Sequence, residues 1–153
     1  MLKINKKVEY ALIALKFMAD KKDTLVSARE ICDQFHTPFD TTAKVMQLMN
    51  NNDILKSVKG IKGGYALNRT LDEITYAELV TLLEGKTELG RVCVSSKGTC
   101  ELLGKCNIVT PVELLNRKLN SFLEKLTLKE LLQGSDFNPP KSAKNYEAET
   151  CHE

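Results

Sequence analysis

The sequence lacks the features that would point to a membrane protein or to a common class of enzyme. It has no tryptophan and two histidines. None of its apolar runs approaches the ~20 residues needed to span a bilayer. The first run, residues 10–15, ends at Lys16 and is too short for a signal peptide. The sequence also has no nucleotide-binding loop and no convincing Ser/His/Asp set. We therefore expect a cytoplasmic protein with no membrane association and no enzymatic activity.

A strong charge of either sign is also missing, since the net charge is +2. The charges are nevertheless unevenly distributed. Residues 1–70 carry twelve lysines and arginines and seven acidic residues, whereas residues 71–153 carry ten and thirteen. A basic first half favours contact with a polyanion. A chance distribution over a solvated surface would give the same counts, so the charge alone does not decide.

Five cysteines are present, and three of them lie in the segment CVSSKGTCELLGKC. Cytoplasmic thiols are normally reduced, which favours metal binding or redox chemistry over structural disulfides. Cys93, Cys100 and Cys106 have the spacing C-x6-C-x5-C, whereas mononuclear zinc sites usually use closer pairs. The wider spacing, on a segment that contains Gly98 and Gly104, suits a larger group such as an iron–sulfur cluster. Such a cluster generally takes four ligands, so the fourth must come from elsewhere in the protein.

Clear start signals divide the chain into short helices. Ser27, Thr75 and Thr127 each have a glutamate three residues later, which is the spacing of a capping box. Thr37 and Thr110 each precede a proline, which predicts a threonine N-cap with proline in the first helical position. Together with the apolar periodicity, these signals predict helices over about residues 6–19, 28–35, 38–51, 75–84, 111–125 and 128–133.

Strand-like segments at residues 54–59 and 65–68 flank a glycine-rich turn and predict a hairpin. Two short helices separated by a tight turn indicate a helix-turn-helix, and a hairpin directly after them makes it winged. The predicted fold class is mainly α with a small β-hairpin wing: a winged helix-turn-helix plus a long dimerisation helix. The expected domains are a DNA-binding domain (1–85), a cluster-binding cysteine loop (86–109), a dimerisation helix with a cap helix (110–133) and a disordered tail (134–153).

This fold predicts where DNA would bind. The helix 38–51 is expected to enter the major groove, and the hairpin to lie along phosphates or in the minor groove. In the helix, Val45, Leu48 and Met49 have core-facing spacing. Asp40, Thr41, Thr42 and Lys44 near its start are expected to be exposed and are the candidate base readers, while lysines in the turn could neutralise phosphates. Ordinary first-turn residues and a plain surface hairpin are the alternatives. The candidate DNA-binding residues are Ser27, Thr37, Asp40, Thr41, Thr42, Lys44, Lys59, Lys62 and Gly63.

The long helix TPVELLNRKLNSFLEKL carries a broad apolar face. Leu114 and Leu123 lie next to this face. A face of this kind can belong to the core or to an interface, and amphipathicity alone does not separate the two. The residues on one side of the helix are Val112, Leu115, Leu119, Phe122 and Leu126.

The segments KVEYALIAL, TPFDTTAKVMQLM and SVKGIKGGYALNR, followed by three clustered cysteines and a long helix, resemble the IscR/NsrR-type (Rrf) family of bacterial regulators over about residues 1–132. The resemblance implies a winged-helix homodimer that binds a pseudo-palindromic operator in double-stranded DNA. Members of the family are repressors or activators, and we expect a repressor. The resemblance implies an iron–sulfur cluster, 4Fe–4S or 2Fe–2S, that senses nitric oxide, redox or iron–sulfur status. It also implies cluster ligation by Cys93, Cys100 and Cys106 and pairing of the long helix with its symmetry mate.

Two departures from the family pattern concern the ligands. The first cysteine spacing is one residue longer than the commonest pattern, and Val109 stands where one branch of the family has a histidine ligand. In the nitric-oxide-sensing branch, the fourth ligand is an acidic residue of the first helix supplied by the other subunit. Glu9 occupies the matching place, so the resemblance implies Glu9 as the fourth ligand. A solvated helix charge is the alternative.

Several alternatives stay open. A winged-helix regulator without a cluster could use its cysteines as a thiol switch or a zinc site. A small iron–sulfur redox protein, or a winged helix that binds a partner protein and never touches DNA, would also fit parts of the pattern. Cys32 is expected to be a buried apolar residue, and His36 to have a structural role in the turn. Cys151 and His152 form a spare ligand pair near the end of the chain.

Overall fold

The structure is a computed structural model that describes residues 4–22, 24–85 and 105–134, together with the backbone of residues 94–95 and 98–99. A mainly helical chain with a two-stranded antiparallel hairpin after two short helices confirms the predicted fold class. None of the helices in these ranges is long and apolar enough to cross a membrane. The elements are α1 Lys6–Asp20, α2 Ala28–Phe35, α3 Phe39–Asn51, β1 Leu55–Val58, β2 Gly64–Leu67, α4 Tyr76–Glu84, β3 Val94–Ser95, β4 Gly98–Thr99, α5 Val109–Lys125 and α6 Leu128–Gln133.

Three helix starts follow the predicted side-chain caps. The Ser27 hydroxyl accepts the Glu30 backbone N–H at 3.1 Å at the start of α2. Thr75 caps α4 in the same way at 3.2 Å, and Thr127 caps α6 at 3.1 Å. At α6 the glutamate Glu130 also accepts the backbone N–H of Thr127 at 3.3 Å, which completes the capping box. Each cap satisfies an N–H that would otherwise have no partner in the first helical turn.

The two predicted threonine–proline caps are wrong. The N-cap of α3 is Pro38, with no side-chain hydrogen bond, and α5 already begins at Val109, before Thr110. Proline has no N–H to satisfy, and the first turn of a helix has no intrahelical partner for its N–H groups. Proline therefore fits any first-turn position, and its presence does not mark the cap to the residue.

The core is built around α1, α3 and α4, and α5 and α6 each contribute a leucine to it, Leu123 and Leu128. Two backbone hydrogen bonds join the end of α5 to the start of α4: the Tyr76 N–H donates to the Leu126 carbonyl at 2.9 Å, and the Leu128 N–H donates to the Ile74 carbonyl at 2.8 Å. The last helices are therefore packed and hydrogen-bonded against the same core as the helix-turn-helix.

The buried face of α3 differs from the prediction at one position. Val45 and Met49 are buried as expected, but Leu48 is 38% exposed and Met46 is fully buried in its place. Thr42, Val45, Met46 and Met49 have the spacing i, i+3, i+4, i+7 of a single helix face. Leu48 lies on the flank of that face, so its core assignment is wrong.

The hairpin is anchored to the residues that precede α2. β1 and β2 pair antiparallel with Leu55 opposite Leu67 and Val58 opposite Gly64. Val26 and Tyr65 exchange two backbone hydrogen bonds of 2.9 Å. A Cβ on Gly64 would lie 3.0 Å from the Val26 carbonyl oxygen, so this close approach requires glycine.

An arginine joins the end of the hairpin to α4. Arg69 donates to the Glu78 carboxylate at 2.6 Å and to the Glu73 carbonyl at 2.6 Å. The hydrogen bond to Glu78 raises the pKa of Arg69 above its ordinary value, so the guanidinium stays charged. This contact holds the residues that follow β2 against α4, the helix that precedes the cysteine loop in the chain.

Met46→Ala is expected to lower the free energy of unfolding by about 2–5 kcal/mol, because it removes a fully buried side chain and leaves a cavity. Leu48→Ala removes a similar volume from the flank of the same helix and should cost less than about 1 kcal/mol. Urea denaturation of both variants measures the difference. Equal losses at the two positions would contradict the orientation of α3.

Candidate nucleic-acid interface

The solvent-facing side of α3 is polar. Asp40 and Lys44 are exposed, as predicted, and Thr41 is half-buried. Gln47 and Asn51 lie on the same exposed side, one and two turns further along the helix. Glutamine and asparagine can both bond adenine in a bidentate manner. Gln47 is three residues after Lys44 and seven after Asp40, and Asn51 is seven residues after Lys44 and eleven after Asp40. These helical spacings could have identified both residues from the sequence, but neither was predicted.

Thr42 is not available to DNA. It is fully buried, and its hydroxyl donates to the Thr37 hydroxyl at 2.9 Å. Thr37 is itself buried and donates to the Cys32 sulfur at 3.6 Å. The prediction that Thr42 is an exposed base reader is therefore wrong, and the Thr37 hydroxyl is also used inside the protein. The threonine pair joins the start of α3 to α2 instead of facing solvent.

The turn between α2 and α3 depends on backbone conformation. His36 has a φ of 54°, in the left-handed region, where asparagine, aspartate and histidine are the residues most often found besides glycine. Its place at the C-cap of α2 agrees with the structural role predicted for it. Cys32 is half-buried, not buried as predicted, and its sulfur accepts the hydrogen bond from Thr37.

Ser27 combines two possible tasks at the start of α2. Its oxygen caps the helix and its side chain is half-buried. A hydroxyl that accepts one hydrogen bond can still donate its proton to another acceptor. A phosphate contact by Ser27 thus remains a prediction that is compatible with its role as a cap.

The turn of the hairpin presents two lysines on a glycine frame. Lys59 and Lys62 are both exposed. Gly60 has a φ of 136°, a backbone conformation that would strain any residue with a side chain, and a Cβ on Gly63 would lie 2.5 Å from the Val58 carbonyl oxygen and clash with it. Gly63 therefore serves the turn geometry first. Ile61 at the tip is fully exposed, which sequence reasoning did not single out.

Part of the predicted metal site lies outside the described residues, including Cys93 and Cys100. Cys106 is described, with a half-buried free thiol just before α5. Glu9 is half-buried on α1, and its carboxylate pairs with Lys6 at 3.0 Å. Within residues 4–22, 24–85 and 105–134, no group of three His, Cys, Asp or Glu side chains could hold a metal ion.

The available donors fit an iron–sulfur cluster in their chemistry. Three thiols provide the usual ligands, and the cluster would need one more donor. The Lys6–Glu9 pair is solvent-facing, and such pairs contribute little free energy. The Glu9 carboxylate could therefore exchange its lysine partner for another ligand at small cost. Val109 is the first residue of α5 and has no donor atom. The predicted spare pair, Cys151 and His152, lies outside the described residues.

An apolar stripe on α5 remains uncovered. Leu123 packs into the core, while Val112 and Leu126 are half-buried. The stripe begins at the N-cap residue of α5 and follows one flank of the helix. Its successive members are seven, four and three residues apart. Its exposed members are Ile108, Leu115, Leu119 and Phe122, with Leu114 exposed nearby.

These features define a winged helix-turn-helix DNA-binding protein. The chain belongs to the Rrf2 family, described as iron-dependent transcriptional regulators, whose family model matches residues 4–134. A helix-turn-helix-type transcriptional regulator of Aquifex aeolicus is 31% identical over 127 residues, which cover 82% of this chain and 88% of that protein. The regulator NsrR of Halalkalibacterium halodurans is 26% identical, covering 84% and 88%. The IscR/NsrR-type resemblance is confirmed at the level of the family.

A solved structure agrees with the fold. CymR, the global cysteine regulator of B. subtilis, superposes with a TM-score of 0.67 at 24% sequence identity, covering 89% of this chain and all of that chain. At this level of identity the match shows that the two chains share a fold over most of their length.

Replacing both wing lysines, Lys59→Gln with Lys62→Gln, should weaken binding to every DNA sequence by a similar factor. The slope of log affinity against log salt should become shallower by about 0.9 for each phosphate that the wing no longer neutralises. Fluorescence anisotropy over a salt series measures both quantities. Lys129→Gln, an exposed lysine on α6, is the matched control. An unchanged slope in the wing variant would remove the wing from the DNA interface.

Proposed function

We propose that the chain is a cytoplasmic homodimeric transcription regulator whose operator affinity is controlled by an iron–sulfur cluster, and that it acts as a repressor. One observation carries this proposal: Cys106 lies three residues before the first residue of α5, and the far end of α5 is hydrogen-bonded to the start of α4. The cysteine loop is thus adjacent to α5, the helix with the exposed apolar stripe. Through the hydrogen bonds between the end of α5 and the start of α4, it is also connected to the packed DNA-binding core.

The dimer is proposed from the stripe on α5. Large apolar side chains that are exposed in one contiguous stripe usually mark an interface. A two-fold pairing of α5 would bury Leu115, Leu119 and Phe122 against their own copies, since such interfaces are isologous. Reading a pseudo-palindromic operator requires that the same two-fold axis relate two α3 helices one helical turn of DNA apart.

The proposed ligands are Cys93, Cys100 and Cys106, with Glu9 supplied by the other subunit. A cluster held there, 4Fe–4S or 2Fe–2S, would offer iron that reacts with nitric oxide or oxidants. Three thiolates bind iron firmly, whereas a carboxylate is the more exchangeable donor. Because Glu9 belongs to α1, it would connect the ligand set directly to the core of the DNA-binding domain. Loss of that connection would change the spacing or orientation of the two reading helices, as a population shift.

A second candidate is a thiol-switch regulator without a cluster. The similarity to CymR, named as a cysteine regulator, and the free Cys106 thiol favour it. In this candidate the cysteines of the loop would form a reversible disulfide or bind zinc. Zinc and disulfides are colourless, so the two candidates differ in visible absorbance.

Protein purified without oxygen is expected to be brown and to contain iron and sulfide, and Cys100→Ala should lose both, because it removes a thiolate ligand. Visible absorbance with iron and sulfide assays measures this. Cys32→Ala is the matched control, since Cys32 lies on α2 and is held by Thr37.

In the same assay, Glu9→Gln should contain the cluster when purified without oxygen but should lose it in air faster than the wild type does. Asp20→Asn, at the other end of α1, should lose the cluster at the wild-type rate. A colourless, iron-free wild type would contradict the cluster and leave the thiol switch. An unchanged rate in Glu9→Gln would remove Glu9 from the ligand set alone.

The double substitution Leu115→Lys and Phe122→Lys should convert a dimer into monomers, because it places charges in the apolar stripe. Sedimentation velocity measures the change in mass, and operator affinity should fall with it. Glu124→Lys adds a lysine to the opposite flank of α5 and should leave the dimer intact. A wild type that sediments as a monomer would contradict the dimer.

A further inference from the structure

An arginine and a phenylalanine form an exposed pair at the N-terminal end of α3. The guanidinium carbon of Arg29 lies 5.3 Å from the centre of the Phe39 ring. Arg29 is the second residue of α2 and Phe39 the first residue of α3, so the pair bridges the starts of the two helices. Arg29 is exposed, and Phe39 is 47% exposed.

The packing of the protein does not account for Phe39. The buried residues of α3 are Thr42, Val45, Met46 and Met49, and Phe39 lies one turn before the first of them, at the start of the helix. A cation–π contact at an exposed site is weak. Among the described residues, Arg29 also takes part in none of the ion pairs. Phe39 is 47% exposed, so burial within the protein accounts for only part of its side chain.

The position of the ring suits contact with a base. In a helix-turn-helix, the first residues of the second helix approach base edges, while the first helix crosses the phosphate backbone. A phenyl ring cannot hydrogen-bond, so its complement in the major groove is the 5-methyl group of thymine. A guanidinium at the start of the first helix has the geometry for two hydrogen bonds to one phosphate.

We propose that Phe39 reads a thymine methyl group in each half of the operator and that Arg29 is its positioning residue. Arg29 covers one side of the ring, which limits the orientations of both side chains before DNA binds. Its guanidinium then bonds the phosphate next to the base that Phe39 contacts. The proposal rests on the proposed DNA-binding function and adds a specific readout to it.

The test begins with operators selected from a random DNA pool by the full-length protein. Each thymine of the best operator is then replaced by uracil, which removes the 5-methyl group and nothing else. One thymine in each half-site should be sensitive, with a loss of about threefold to fivefold in affinity, the size expected for one buried methyl group. Phe39→Ala should bind the thymine and uracil operators equally.

Arg29→Gln provides a readout that a purely structural role would not change. The variant should show a salt slope shallower by about 0.9 for each half-site. Its discrimination between thymine and uracil at the sensitive position should also decrease, because the ring has lost its support. Thermal unfolding of both variants should match the wild type, since neither side chain is in the core.

The possible outcomes distinguish a failure of the proposed function from a failure of this inference alone. A wild type that selects no operator sequence would overturn the proposed function and this inference together. A selected operator in which no uracil substitution matters would overturn the inference alone, and this result needs no variant. Retained discrimination in Phe39→Ala, or an unchanged salt slope in Arg29→Gln, would overturn the role of that residue.

Discussion

The pair of backbone hydrogen bonds between Val26 and Tyr65 fixes the geometry on which the DNA-binding surface depends. Val26 is fully buried and immediately precedes the cap of α2, while Tyr65 lies in β2. The bonds therefore hold the wing against the start of the helix-turn-helix. Gly64 permits this approach because it has no Cβ. Without this connection a two-stranded hairpin would be marginal in water, and its lysines would have no fixed relation to α3.

A second connection runs from the DNA-binding core to the rest of the chain. The end of α5 is hydrogen-bonded to the start of α4, and Arg69 ties the exit of the hairpin to the same helix through Glu78. The cysteine loop lies between α4 and α5 in the chain. A ligand set in that loop would act on both ends of one packed unit. This arrangement is the physical basis for proposing that the state of the loop changes the position of the reading helices.

The sequence predicted most of the fold because its signals were local. Ser27, Thr75 and Thr127 cap their helices through hydrogen bonds that span three residues, so a short motif contains the whole interaction. The predictions failed where the answer depends on distant contacts. Whether Leu48 or Met46 is buried depends on which way α3 faces its neighbours, and both residues fit an apolar pattern.

The candidate site was predictable to a smaller extent. The exposed lysines of the wing follow from the turn residues themselves. Thr42 was assigned to DNA because a helix pattern does not reveal that Thr37 lies beneath it and accepts its hydroxyl proton. Arg29 and Phe39 are ten residues apart in the chain, and their contact exists because the turn brings the starts of two helices together. Neither residue is distinctive alone.

If the state of the cysteine loop controls operator affinity, removal of the iron should change that affinity. The most direct measurement compares the operator Kd of protein purified without oxygen before and after its iron is removed by a chelator, with Cys100→Ala in parallel. We expect the Kd to change by about fivefold or more on iron removal, and Cys100→Ala to have the affinity of the stripped protein throughout. Equal affinities before and after removal of the iron would contradict this expectation.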